Sequence, residues 1–303
     1  MVRRPAAILI AGLVLAACSS APHAGAPHPT STPVRAATSP APLDLPTTAS
    51  TISLVDTSRP VVLDGEQLTA TRSLPTTIVR PTTKGPWPLV VFVHGYGVGP
   101  ATYQRYLDQL AARGFVVAAP SFPLEDPARG FPLDRSHLAD EAADVSFVIS
   151  QIEADATHHD VIPGRVGVVG HSDGADVALL VGYDATLSDR RLQAVVADAP
   201  DPITGAVIDG GPPLLLVQGT NDEIVDPSSA RTVMGQLSAQ RWLVELDGAS
   251  HAGPIIGPSP WTASFDAATN AFLMATLDRT GTSSLKATLG RLSGTKVEAK
   301  LGP

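Results

Sequence analysis

The sequence predicts a doubly wound α/β fold, a mostly parallel β-sheet with helices on both faces. Three observations lead there. Short, continuously apolar runs recur along the chain, stretches with apolar residues at helical spacing lie between them, and the two kinds alternate. A strand covered on both faces has no polar side to show, so it reads as an unbroken apolar run. Strand–helix alternation is the pattern of crossover connections in a parallel sheet.

Strands are expected at residues 52–55, 76–79, 89–93, 115–119, 166–169, 194–197, 214–217 and 243–246, and helices at 102–112, 136–153, 175–183, 228–237 and 264–277. In the second helix Leu138, Ala142, Val145, Ile149 and Ile152 recur three and four apart, which places them on one face. Only 15 residues separate Asp198 from Leu214, too few for a large cap domain. The 303 residues are 44% hydrophobic and 17% charged, enough apolar content for a sizeable core. A formal net charge of −8 argues against a nucleic-acid partner, which calls for a basic patch.

The ends differ from the middle. Arg3 and Arg4 precede an apolar run, residues 6–17, that is short for a membrane span but suits a signal peptide. The run closes as Leu15-Ala16-Ala17-Cys18 on the single cysteine of the chain, and this resembles the lipobox of bacterial lipoproteins. The resemblance implies a signal peptide over residues 1–18, lipidation of Cys18, and a protein held by its lipid anchor to the outer face of the cell membrane. An ordinary signal peptide cut nearby, or an inserted N-terminal anchor, is the alternative. Residues 19–50 are rich in Ala, Pro, Ser and Thr and read as a disordered tether. The catalytic domain is expected over 51–280. The polar stretch 281–303 reads as a C-terminal tail.

The chemistry centres on Gly170-His171-Ser172-Asp173-Gly174, between an apolar strand and a helical stretch. A serine hydroxyl becomes a useful nucleophile when a sharp strand-to-helix turn exposes it beside a base, and such a turn needs glycines where neighbouring backbone comes close. With the runs Pro88-Leu89-Val90-Val91-Phe92-Val93-His94-Gly95-Tyr96-Gly97 and Leu110-Ala111-Ala112-Arg113-Gly114-Phe115-Val116-Val117, the chain resembles the α/β-hydrolase superfamily over residues 72–277. Within it, the chain resembles the minimal bacterial branch of dienelactone-hydrolase-like, platelet-activating-factor-acetylhydrolase-like and cutinase-like enzymes.

The resemblance implies a triad in the order Ser, acid, His. His251 is the only histidine after Ser172 and follows the expected strand 243–246. The acid should follow the strand 214–217, where Gly219-Thr220-Asn221-Asp222 points to Asp222, with Asp226 the main rival and Glu223 a lesser one. Backbone N–H groups of Tyr96 and Asp173 are implied as the oxyanion donors, and His94 is expected to be structural. Asp173 departs from the cutinase-like pattern, because a carboxylate beside a developing oxyanion is unfavourable. It should point away, contact a cation or shape the substrate site. Tyr96 and Trp261 are candidates for the substrate site.

The stretch 121–134 reads either as a flap over the site or as a plain surface loop. His158-His159-Asp160 has no further ligand cluster nearby and reads as a solvated loop, so no metal is implied. No Walker A sequence and no strand-linked Gly-x-Gly-x-x-Gly appears, so no nucleotide cofactor is implied. The expected function is hydrolysis of short- to medium-chain carboxylic esters through an acyl-enzyme, with a small-molecule or lipid ester as substrate. The alternatives are a non-catalytic binding module on this fold, and acyl transfer or peptide cleavage by the same triad.

Overall fold

A computed structural model describes residues 43–278 and 281–301. Cys18 and most of the expected tether lie outside them. Each of the eight apolar runs falls within or across a strand, and each of the five periodic stretches becomes a helix. The chain enters through strand β1 (Thr47–Asp56) and a small hairpin, β2 (Val61–Leu63) and β3 (Glu66–Thr69). Asp64 and Gly65 make its turn, both at positive φ, as two-residue hairpins of this kind require. Strands β4 (Arg72–Pro81) and β5 (Trp87–Val93) lead to helix α1 (Gln104–Ala112) and strand β6 (Val116–Pro120). Helix α2 (Leu138–Ala154) and the short α3 (Ala156–His159) precede strand β7 (Val161–His171) and helix α4 (Asp173–Tyr183). Then come β8 (Leu192–Asp198), β9 (Leu214–Gly219), α5 (Ser229–Gln236), β10 (Arg241–Leu246), α6 (Gly253–Ile256), α7 (Thr262–Leu277), α8 (Thr282–Leu289) and β11 (Thr295–Lys300).

Nine strands form one sheet in the order β1-β4-β6-β5-β7-β8-β9-β10-β11. The six from β6 to β10 run parallel, and β1, β4 and β11 close the edges antiparallel. The parallel strands are buried along nearly their whole length, which is why their sequences do not alternate. Two apolar cores result. One packs Val91, Val93 and Leu216 under α2, α4 and α5, and the other packs Phe92, Val117 and Val217 under α1 and α7.

The chain passes from β5 to β6 on one side and returns to β7 on the other. The carboxyl ends of β5 and β7 therefore flank a topological switch point, where open α/β sheets place their ligands. The connection from β8 to β9, residues 199–213, contains no helix, in keeping with the expected absence of a large cap.

Two segment boundaries need correction. β1 begins at Thr47, so the last residues assigned to the tether are strand. Thr48, Ser50, Thr51 and Ser53 are exposed on this edge strand, so composition alone reads as linker. The expected tail, 281–303, instead supplies α8 and β11. Leu285 and Leu289 are buried against the α7 side, and β11 pairs with β10. Lys296, Glu298 and Lys300 make β11 a charged edge, which resists pairing with another chain and hides the strand from a search for apolar runs.

Candidate active site

Ser172 sits between β7 and α4 at φ 57° and ψ −128°, a conformation unfavourable for a residue with a side chain. The flanking glycines are demanded by space. A Cβ on Gly170 would lie 1.8 Å from the carbonyl oxygen of Gly174, and one on Gly174 would lie 2.2 Å from that of Val93. The turn thus presses against the end of β5, where a Cβ on Gly95 would come within 3.0 Å of the Ser172 Cβ.

The loop after β9 and the loop after β10 bring Asp222 and His251 together. His251 Nδ1 lies 2.9 and 3.1 Å from the two carboxylate oxygens of Asp222. Oδ1 of Asp222 also accepts the N–H groups of Ile224 and Val225, each at 2.9 Å, and Oδ2 accepts Gln218 Nε2 at 3.0 Å. Burial opposes ionisation of Asp222, but His251 and the two amides outweigh it and hold its pKa below the usual carboxylate value. This environment gives His251 an Nδ1–H and leaves Nε2 with its lone pair. Among the described residues the Ser172 hydroxyl makes no hydrogen bond, so the His251–Asp222 pair is formed without a bond from Ser172.

The rivals for the acid have other tasks. Asp226 is exposed and accepts the Ser228 amide at 2.8 Å ahead of α5. Glu223 accepts the His251 amide at 3.2 Å, holding that loop's backbone.

The Tyr96 and Asp173 amides donate to no protein acceptor among the described residues, which leaves them available to a ligand oxygen. His94, wholly buried, acts as a brace. Its Nδ1–H donates to the Gly95 carbonyl at 3.0 Å, and its Nε2 accepts the Phe122 amide at 3.2 Å. Burial pushes its pKa down to about 4, so it stays neutral.

The stretch 121–134 divides in two. Residues 121–126 are all buried beneath the loop after β5, where the Glu125 carbonyl accepts the Gly97 amide at 3.0 Å, while 127–134 are exposed or half-buried, as a surface loop is. The Asp173 carboxylate meets a cation: Arg135 donates to it through Nε at 3.0 Å and Nη2 at 2.5 Å.

His171 and Tyr103 form a link that sequence reasoning missed. His171 Nε2 lies 3.1 Å from the His251 carbonyl, which can only accept, so this nitrogen carries the proton. Its Nδ1 then accepts from the Tyr103 hydroxyl at 2.9 Å, and that hydroxyl accepts the Gly95 amide at 3.2 Å. Burial, and then the charge of His251, push the His171 pKa down to about 4. His171 was visible inside the pentapeptide, but only its position beneath His251 reveals the connection. Trp261 likewise braces the His251 loop, its indole N–H donating to the Asp247 carbonyl at 2.7 Å, while Tyr96 is 45% exposed.

A groove of about 300 Å³ opens beside α4, between Leu138, Leu179, Leu180 and Ile203, with Arg135 and Asp201 at its polar end. Asp176, which also lines it, lies one helical turn beyond Asp173.

A family model described as chlorophyllase matches residues 55–221, more than half of the chain. Three similar curated proteins agree with it. Chlorophyllase-1, chloroplastic, of Citrus unshiu is 29% identical over 117 residues, 37% of this chain and 35% of the relative. The protein of the same name from Citrus sinensis gives the same figures. Chlorophyllase type 0 of Chenopodium album is 24% identical over 147 residues, 45% of this chain and 40% of the relative. The chain thus spans a little over a third of the length of the curated relatives it matches.

Proposed function

The chain belongs to the chlorophyllase family of α/β-hydrolases, and from that premise we propose that it is a serine hydrolase of carboxylic esters acting through an acyl-enzyme. The observation that carries the reading is the convergence at the carboxyl ends of the parallel strands of a strained Ser172, the preformed His251–Asp222 bond, and two free amides at Tyr96 and Asp173. In the proposed mechanism His251 Nε2 takes the Ser172 proton as Oγ attacks the ester carbonyl. Asp222 stabilises the resulting imidazolium, and the two amides hold the oxyanion. The imidazolium then protonates the leaving alcohol, and water, deprotonated by the same nitrogen, releases the acid.

The groove along α4 is proposed to receive one arm of the ester. With no helix in the β8–β9 connection, the site is expected to favour short- to medium-chain soluble esters. Action on chlorophyll is what the relatives' names state of those proteins. Lipidation at Cys18 and attachment to the cell membrane's outer face remain part of the proposal; labelling with a fatty-acid analogue, lost in Cys18→Ala, tests them.

The test of function is hydrolysis of p-nitrophenyl esters from acetate upward by the protein and its Ser172→Ala form. Activity abolished by the substitution is expected. Equal inactivity of two folded proteins would favour the binding-module alternative, and a strong preference for emulsified long-chain triglyceride would overturn the chain-length reading.

A further inference from the structure

Asp173 presents a conflict that its ion pair with Arg135 only partly resolves. Its amide is a proposed oxyanion donor, yet its side chain brings a negative charge to the same residue. A second carboxyl, Glu125, sits against it from the buried segment beneath the loop after β5. Glu125 is 0% exposed, and neither of its oxygens meets a donor. Its polar neighbour is the Asp173 carboxylate, and that contact is a hydrogen bond only when one of the two groups carries a proton. Two carboxyls in contact, one of them fully buried, do not both ionise at neutral pH. Arg135 grips Asp173 through two donors, so Asp173 is the one that holds the charge.

We propose that Glu125 is a positioning residue that works as a neutral acid: its carboxyl O–H donates to Asp173 and, with Arg135, makes a cluster of zero net charge behind the oxyanion site. This rests on the proposed esterase reading. The same residue's carbonyl holds the Gly97 amide, next to Tyr96, so one buried segment reaches both halves of the proposed oxyanion site. The charged and titratable groups around Glu125 are Asp173 and Asp176 on α4, Arg135 ahead of α2, Glu141 on α2, and Tyr103 ahead of α1. Burial first, and then the charge of Asp173, push the Glu125 pKa up to about 9, while Arg135 acts in the opposite direction.

Above that pH, Glu125 ionises and adds an uncompensated negative charge behind the developing oxyanion. Across roughly 6–12 Å at an effective dielectric of about 20, such a charge costs roughly one to two powers of ten in rate. The test is kcat and KM for p-nitrophenyl butyrate between pH 6 and 10. The wild type should lose kcat along an alkaline limb near pH 9 with KM little changed. Glu125→Gln keeps the donor and cannot ionise, so it should retain neutral-pH activity and lose the limb. Arg135→Gln removes a cation that favours the Glu125 anion, so its limb should move to higher pH.

A purely structural role for Glu125 would leave the limb in place in Glu125→Gln, and that result overturns the proposal. Infrared spectroscopy at pH 7 supplies a readout independent of turnover. The wild type should show one protonated-carboxyl C=O band that Glu125→Gln lacks. With no hydrolysis but with that band, the esterase reading fails while the shared proton stands. Identical carboxyl bands in the two proteins sink the shared proton whatever the activity.

Discussion

Replacing Tyr103 by Phe removes a single hydroxyl that serves two buried groups on different elements. The Gly95 amide loses its acceptor at 3.2 Å and His171 Nδ1 loses its donor at 2.9 Å, and Tyr103 itself is 1% exposed, so water has little access to replace either bond. Each buried polar group left unsatisfied costs about 1–3 kcal/mol, so the pair should cost roughly 2–4 kcal/mol once some relaxation is allowed. For a domain of this size that corresponds to a fall in Tm of roughly 5–15 °C. Urea unfolding followed by circular dichroism, with a thermal scan beside it, measures both. The substitution should also lower kcat more than it raises KM. Gly95 precedes Tyr96, and His171 supports the His251 backbone, so both the proposed oxyanion loop and the proposed base lose a constraint. An unchanged Tm and an unchanged kcat would refute the reasoning, because they would mean that neither partner depends on this hydroxyl.

Two further outcomes follow from the same geometry. Asp222→Asn should lower kcat by about 10³- to 10⁴-fold, the scale seen when the acid partner of a catalytic histidine is removed, while Asp226→Asn should stay within roughly twofold of wild type; the reverse ranking in steady-state ester hydrolysis would assign the acid to Asp226. Stability should rise as pH falls from 8.5 to 6.5. Burial raises the pKa of Glu125 to about 9 and those of Glu141 and Asp198 well above normal, so the folded protein holds these protons where the unfolded chain has lost them. More protons bound in the folded state means stability lost with rising pH. His94 and His171, depressed to about 4, act oppositely from about pH 7.5 downward, where the unfolded chain begins to protonate them, but at pH 6.5 they are only about half protonated there and the buried acids outweigh them. A Tm that is flat or higher at pH 8.5 contradicts this.

The parallel sheet and the spacing of its loops were legible because they follow from local rules. A strand covered on both faces must be apolar throughout, as residues 89–93 and 214–217 are, and the elbow must carry glycine where backbone touches backbone at Gly170 and Gly174. Ser172, His251 and Asp222 could be singled out because each follows such a strand. The edges were less legible. β1 and β11 need only one covered face or none, and their Thr, Lys and Glu residues read as linker and tail.

What the sequence by itself determined about this protein was the α/β architecture and the order of its candidate nucleophile, acid and base, because apolar runs, helical spacing and tight turns depend on neighbours along the chain. Only the tertiary structure decided the partners that support them. The bond from Tyr103 to His171 spans 68 positions, that from His171 to the His251 carbonyl spans 80, and the grip of Arg135 on Asp173 spans 38. Tyr, His, Arg and Glu have many possible uses, and nothing local selects among them. Their roles arise when the sheet brings the carboxyl ends of β5, β7, β9 and β10 to one side and removes the water that would otherwise satisfy them.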